Sequence, residues 1–275
     1  MRRSRKKVIL YNIESTSPSH QVYVKEYLKK VRKIRTFQFL IIVFFLCFWE
    51  LGTRLGSVDA FIFSSPTRIF KSFYLMSKDG SIFFHTGITL LETFISFALV
   101  NIIGFLVAIL LWWNDTIAKT LEPYLVVLNS LPKSALAPVF IVWLGNNMKT
   151  IIIAAVSVAV FGTVITLYTA FKNVEEDKMK LIQTLGGNKK DILLKVVIPS
   201  NIPSLISLMK VNIGLSLVGV IIGEFLAAKS GLGYLIIYGS QVFKLDWVMM
   251  SIVILCAMAT GLYQLLSYFE KRYTN

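Results

Sequence analysis

The sequence predicts an all-α, polytopic membrane protein with six transmembrane helices, and three observations carry that prediction. Six apolar stretches recur along the 275 residues, each with the length, about 20 residues, that a helix needs to cross a hydrocarbon core about 30 Å thick. Mean hydropathy is +0.67, with 55% hydrophobic against 16% charged residues, more apolar surface than a water-soluble core of this size needs. The formal net charge of +14 is unevenly placed: residues 1–35 hold eleven Lys/Arg, residues 171–199 hold six, and Lys119, Lys271 and Arg272 bring the sum to twenty of 29. On the predicted spans these segments share one side of the membrane. That is a positive-inside bias meeting anionic lipid, and it argues against a nucleic-acid footprint.

Taken in order, residues 1–20 read as a disordered basic tail rich in Ser, Thr, Pro and Asn. Val24, Tyr27, Leu28, Val31 and Ile34 then recur at helical spacing among Lys25, Lys29, Lys30, Arg32 and Lys33, the pattern of an interfacial helix. The basic stretch is too long for the n-region of a cleaved signal peptide, so Phe37–Leu55 reads as a retained first span. Residues 1–36 are therefore tail and interfacial helix, and residues 37–272 a six-span domain. Within it lie an external segment, 56–87, and a cytoplasmic loop, 172–201. In the external segment Ser65 can cap a helix whose first residue is Pro66, with Ile69, Phe70 and Phe73 as its apolar face. The other spans are Ile88–Trp113, Tyr124–Leu144, Thr150–Phe171, Ile202–Ala228 and Trp247–Tyr268. Trp112, Trp113, Trp143 and Trp247 stand near predicted ends, as interfacial aromatics do. An even number of spans puts both termini on the same side, and the Lys/Arg bias makes that side cytoplasmic.

The loop holds the clearest candidate for function. Val174–Leu185 can form one short amphipathic helix, Gly186-Gly187-Asn188 a turn with positive φ, and Asp191–Val197 a second helix. Met179, Ile182, Leu185, Leu193 and Val196 supply an apolar face. It is either a handle for another protein or an ordinary solvated connector. The third span carries Pro123, Pro132 and Pro138. Proline removes a backbone donor, and in lipid the freed carbonyls need partners in protein or in a wet cavity. A broken, pathway-lining helix and a kinked packing helix both fit.

Charges inside the bilayer are costly, so Glu92, Lys133, Lys210 and Glu224 each need a reason. Glu224 either closes a gate with the Gly231-Leu232-Gly233 turn or snorkels to the interface. Lys210 either snorkels or meets an anionic solute, and Lys133, beside Pro132, could face the path. Cys47 and Cys256 lie in apolar runs and read as small packing residues. His20 and His85 have no neighbours at ligand spacing, and no acid/base or nucleophile set can be assembled, Glu92 and His85 being too isolated. No phosphate-cradling Gly-x-x-x-x-Gly-Lys-Ser/Thr loop occurs, so the chain itself is expected to hold no cofactor.

Gly186 followed ten residues later by Val196, then Ile198 and Pro199, resembles the cytoplasmic coupling loop of the membrane subunits of ABC importers. From about Phe63 to Arg272 the chain resembles the permeases of the aliphatic-sulfonate, taurine and nitrate group. The resemblance is carried by Leu131-Pro132-Lys133-Ser134-Ala135-Leu136-Ala137-Pro138 with Val142-Trp143-Leu144-Gly145. It is carried also by Gly223-Glu224 with Ser230-Gly231-Leu232-Gly233-Tyr234, by Ser64-Ser65-Pro66, and by the Gly186–Pro199 loop. Two departures stand out. Lys180-Leu181-Ile182-Gln183 replaces the usual Glu-Ala-Ala-Arg, and Glu92 stands where these permeases commonly carry arginine.

The resemblance implies a type I importer permease that is not an enzyme. It implies a bacterial inner-membrane subunit forming the path for a small anionic organic solute, heterocyclic precursors being the second candidate. It further implies a second permease copy as homodimer partner, two ATPase subunits that use ATP and Mg, an extracytoplasmic binding protein, and no nucleic acid. Met179, Ile182, Leu185, Gly186, Gly187, Val196, Ile198 and Pro199 would couple to the ATPase. Pro132, Lys133, Pro138, Glu224, Gly231 and Gly233 would line or gate the path. A self-contained secondary carrier or channel, or a membrane-embedded enzyme, are the competing readings. The first would show inverted repeats and need no such loop.

Overall fold

The computed structural model describes residues 18–273, and helices account for nearly all of them, with no strand among the described residues. The tail expected over residues 1–20 lies mostly outside this range, but helix α1, Pro18–Arg54, already begins within it. The expected interfacial helix and first span are one uninterrupted helix, since nothing between Ile34 and Phe37 breaks it: no proline or glycine stands there.

Two compact units divide at Thr67. The first holds α1 and a single helical turn, α2, Ala60–Phe63, capped when Asp59 accepts from Phe61 N–H at 2.8 Å. Glu50 closes this unit, accepting from Arg54 Nε at 2.8 Å, Thr67 Oγ1 at 2.8 Å and Thr67 N at 3.1 Å. Helix α3, Pro66–Lys78, starts on its proline as foreseen. Its inward residues are Ile69 and Met76. Phe70, expected on that face, is 71% exposed; the face is set by the i, i+7 pair.

In the second unit, α4 (Ser81–Trp113) is followed by α5 (Asp115–Ser130), α6 (Lys133–Leu144), α7 (Met148–Lys172) and α8 (Glu176–Thr184). Helix α9 runs Lys189–Ala227, and α10 (Leu232–Gln241) and α11 (Leu245–Tyr273) complete it. Asn114 and Asn147 cap α5 and α7, each accepting two backbone N–H bonds. The third predicted span is not a single rod. It is the pair α5 and α6, bent by 95° at Leu131-Pro132, because proline cannot continue the backbone ladder.

Helices α4, α7 and α9 form the centre of this unit. Lipid offers no hydrophobic drive between apolar helices, so close approach and polar bonds hold them. A Cβ on Gly219 would lie 2.6 Å from Ala155 Cα, and one on Gly223 3.1 Å from Ile151 Cα, so these glycines let α9 touch the α7 backbone. Gly104 admits Thr163 between α4 and α7 in the same way. One bond chain joins all three helices: Asn212 Nδ2 donates to Asn101 Oδ1 at 2.9 Å, and Thr163 Oγ1 donates to Asn212 Oδ1 at 3.0 Å.

Candidate functional site

The loop between α7 and α9 folds as an elbow. Helix α8 ends in a Schellman motif: Gly186, at φ +78°, donates to Gln183 O at 2.9 Å, and Gly187 N–H reaches Ile182 O at 2.8 Å. Gly187 has ordinary φ, but a Cβ there would strike the Ile182 carbonyl oxygen at 2.9 Å. Asn188, expected in the turn, instead starts the next helix in a capping box with Asp191, with mutual bonds of 3.0 and 3.1 Å. The second short helix expected over Asp191–Val197 is not separate. It continues through a π-turn, Leu193–Val197, into the long helix that carries Ile198 and Pro199. The elbow is thus α8, its glycine turn and the first turns of α9.

Burial divides the predicted coupling residues. Val196, Leu193 and Val197 are buried, and Met179, Ile182 and Ile198 pack against a core made by Ala108, Leu167 and Phe171 from α4 and α7. These residues seat the elbow on its own bundle, Met179 lining a cleft as well. The outward apolar residues are Leu185, 76% exposed, and Leu181 and Leu194, 60% and 53% exposed, the last two unforeseen. Beside them lies a cleft of about 500 Å³ lined by Trp112, Glu176, Met179, Lys180, Gln183 and Lys189 among others. Lys189 Nζ donates to Trp113 O at 2.5 Å and sits 5.6 and 5.7 Å from the Trp112 and Trp113 ring centroids.

At the opposite end of α9 a buried polar cluster gathers around Glu224. This carboxylate, 1% exposed, accepts from Thr89 Oγ1 at 2.7 Å and from Gly233 N–H at 2.6 Å. Snorkelling is thereby excluded. Thr89 Oγ1 accepts in turn from Leu232 N–H at 2.8 Å, and His85 Nδ1 from Gly231 N–H at 3.0 Å. Gly231, at φ +114°, and Gly233 both lie where a Cβ would collide with the Glu224 carboxyl group. Glu92, 2% exposed, stands three residues beyond Thr89 on α4, its Oε2 buried without a hydrogen-bond partner among the described residues. His85, Thr89 and Glu92 therefore are not isolated. They form one face of α4, and their i, i+4, i+7 spacing in a largely apolar helix was the available signal.

Of the remaining charged residues, Lys210 neither snorkels nor stands free for a solute. It holds both oxygens of Glu270 at 2.8 Å, tying α9 to α11. Lys133 donates to Asn129 O across the α5–α6 break, and Pro132 and Pro138 are exposed on this chain. The structure does not bring Lys133 to Glu224. The described residues contain no group of three or more side chains able to hold a metal ion.

A membrane bundle with a rigid, glycine-hinged elbow at one end and a broken helix beside its centre is the architecture of an importer permease. The chain belongs to the family of binding-protein-dependent transport system inner membrane components, whose family model matches residues 100–274. It is 28% identical over 196 residues to the formylaminopyrimidine transport permease protein of Halalkalibacterium halodurans, covering 71% of this chain and 77% of that one. It is 24% identical over 209 residues to the putative aliphatic sulfonates transport permease protein of Bacillus subtilis, covering 76% of each. A bacterial ABC transporter for import of the acidic polysaccharide alginate shares the fold, with a TM-score of 0.66 at 12% identity, covering 91% of this chain and all of that one. The chain is thus an importer-type ABC transporter permease, a multi-pass inner-membrane transport component and not an enzyme; ATP hydrolysis in such systems belongs to a separate subunit.

Proposed function

We propose that this permease pairs with a second copy of itself to form a path for a small organic anion, delivered by an extracytoplasmic binding protein and driven by two ATPase subunits that use ATP and Mg. The elbow is the surface that receives the ATPase, and both termini lie on its side of the membrane. The observation that carries the reading is mechanical. Leu181 and Leu185 stand exposed on α8, while the next turn of chain is continuous with a 39-residue helix crossing the bundle. Displacing the elbow must therefore displace α9, and with it α4 and α7, on which the elbow is seated. Closure of the ATPases on nucleotide would bias an equilibrium between inward-open and outward-open states by this route.

The six Lys/Arg of residues 171–199, the elbow segment itself, support that side being cytoplasmic. The exposed prolines of the α5–α6 break support a path between two copies, where freed carbonyls find water or protein. The solute class rests on the sulfonate relative, and the formylaminopyrimidine relative supports a heterocyclic precursor as second candidate. Co-purification tests the coupling surface. Leu185→Glu should release an ATPase that accompanies the unaltered permease, and should abolish ATP-dependent uptake. An ATPase still bound at full stoichiometry to a Leu181→Glu, Leu185→Glu variant would refute the assignment. Mass spectrometry of the ligand carried by the co-purified binding protein tests the solute class.

A further inference from the structure

The ends of three membrane helices gather beside the elbow: α4 stops at Trp113, α7 stops at Lys172, and α9 starts at Lys189. Trp112 and Trp113 mark this end of the bundle as the headgroup layer, where amphipathic indole rings are most stable. The cleft of about 500 Å³ opens here, between the last turn of α4, helix α8 and the first turn of α9.

Its walls are of two kinds. Trp112, Met179 and Ile192 are apolar, whereas Glu176, Lys180, Gln183 and Lys189 are polar. Lys180 Nζ lies 3.1 Å from Glu176 Oε2, so those two charges cancel. Lys189 forms no ion pair among the described residues; its Nζ donates to Trp113 O and lies over both indole rings. The cleft therefore keeps one net positive charge, on an ammonium group with two N–H donors still to satisfy. A second lysine without an ion pair among the described residues, Lys172, lies over Tyr168 at 6.0 Å, and Tyr168 packs on the same apolar core as Trp112.

The side of α8 that lines the cleft is not the side offered to the ATPase. Glu176, Met179, Lys180 and Gln183 are spaced i, i+3, i+4, i+7 and share one face of the helix. At about 100° per residue, Leu181 and Leu185 fall about 140° and 180° around from Glu176, pointing away from the cleft.

We propose that this cleft binds the phosphodiester headgroup of an anionic phospholipid, with Lys189 and Gln183 donating to the phosphate oxygens and Trp112, Met179 and Ile192 covering the glycerol and first acyl carbons. The single uncompensated charge selects an anionic lipid, because a zwitterionic headgroup brings a second cation towards Lys189. The apolar wall selects a lipid over a soluble anion, which has nothing to bury there. A lipid held in this way bridges α4, α8 and α9, so the composition of the adjoining leaflet acts on the seat of the elbow. The site is separate from the solute path and stands whichever partner covers Leu181 and Leu185.

The full-length permease in detergent micelles, titrated separately with phosphatidylglycerol and phosphatidylcholine while native mass spectrometry counts bound lipid, tests the assignment. One phosphatidylglycerol per chain should bind about tenfold more tightly than phosphatidylcholine, the effect of one charge-assisted hydrogen bond. Lys189→Gln should remove that preference and Lys189→Arg should keep it. Lys190→Gln should keep it too, since Lys190 is exposed and does not line the cleft. Equal binding of the two lipids by the unaltered protein overturns the proposal, and that comparison needs no variant to fold. Equal losses in Lys189→Gln and Lys190→Gln would show only diffuse attraction to a basic surface and overturn it as well. Displacement of the lipid by an equal concentration of glycerol phosphate would assign the cleft to a soluble anion. Release of the lipid when the ATPase assembles on the permease would assign it to that subunit, and either result overturns the lipid site.

Discussion

Gly186 and Gly187 stand side by side and are required for different reasons. Gly186 has open space around its Cα but a φ of +78°, while Gly187 has an ordinary φ and no space, its Cβ position falling on Ile182. Gly186→Val should cost about 1–2 kcal/mol, the penalty of a left-handed conformation for an L residue, and Gly186→Asn much less, since Asn tolerates that region. Gly187→Ala should cost about 1–3 kcal/mol as an overpacking change. Thermal unfolding orders the three, and vesicle uptake against ATP consumption tells whether the strained elbow still transmits: with Gly186→Val in the permease, the partner ATPase should still hydrolyse ATP while uptake falls severalfold. Gly186 was legible because a glycine at the end of an amphipathic stretch has a physical reason to be there. Leu185 was legible too as an outward residue, whereas Ile182 and Val196 look alike in sequence and pack inward, because only the seating of the elbow on α4 and α7 decides which apolar residues remain outside. The partners of Glu224 were not legible, since Thr89 lies 135 residues away.

At the scale of elements, proline marked the α5–α6 break correctly as a discontinuity, although its 95° angle depends on what the two halves pack against. The π-turn at Leu193–Val197 carries no residue that announces it. It joins Lys189–Ile192 to Ile198–Ala227 in one continuing helix, where the sequence suggested a separate short one. Packing between α7 and α9 rests on small residues, so Gly219→Val, pushing β-branched bulk against the Ala155 backbone, should destabilise the bundle by about 1–3 kcal/mol. Gly214, with nothing within 4 Å of its Cβ position, is the control on the same helix. Gly214→Ala should leave the melting temperature unchanged or raise it slightly, as removing an interior helical glycine does. Equal melting temperatures for Gly219→Val and Gly214→Ala would contradict the close-approach account.

Across the whole second unit, one helix links the two candidate sites. From Val197 to Glu224 the rise of α9 is about 40 Å, at about 1.5 Å per residue, and along that length it is fastened to α7 by glycines, to α4 by Asn101 and to α11 by Glu270. Polar fastening makes α9 a stiff member, so movement at the elbow is delivered to the Glu224 cluster with little loss to bending. The claim on which this account turns is that the elbow is where the ATPase pushes. Placing a photo-crosslinking residue at position 185 in the assembled transporter, in place of Leu185, tests it most directly. The account predicts that illumination joins the permease to the ATPase subunit, with an efficiency that changes when ATP is bound. Crosslinking to the binding protein, or to lipid alone, would contradict it.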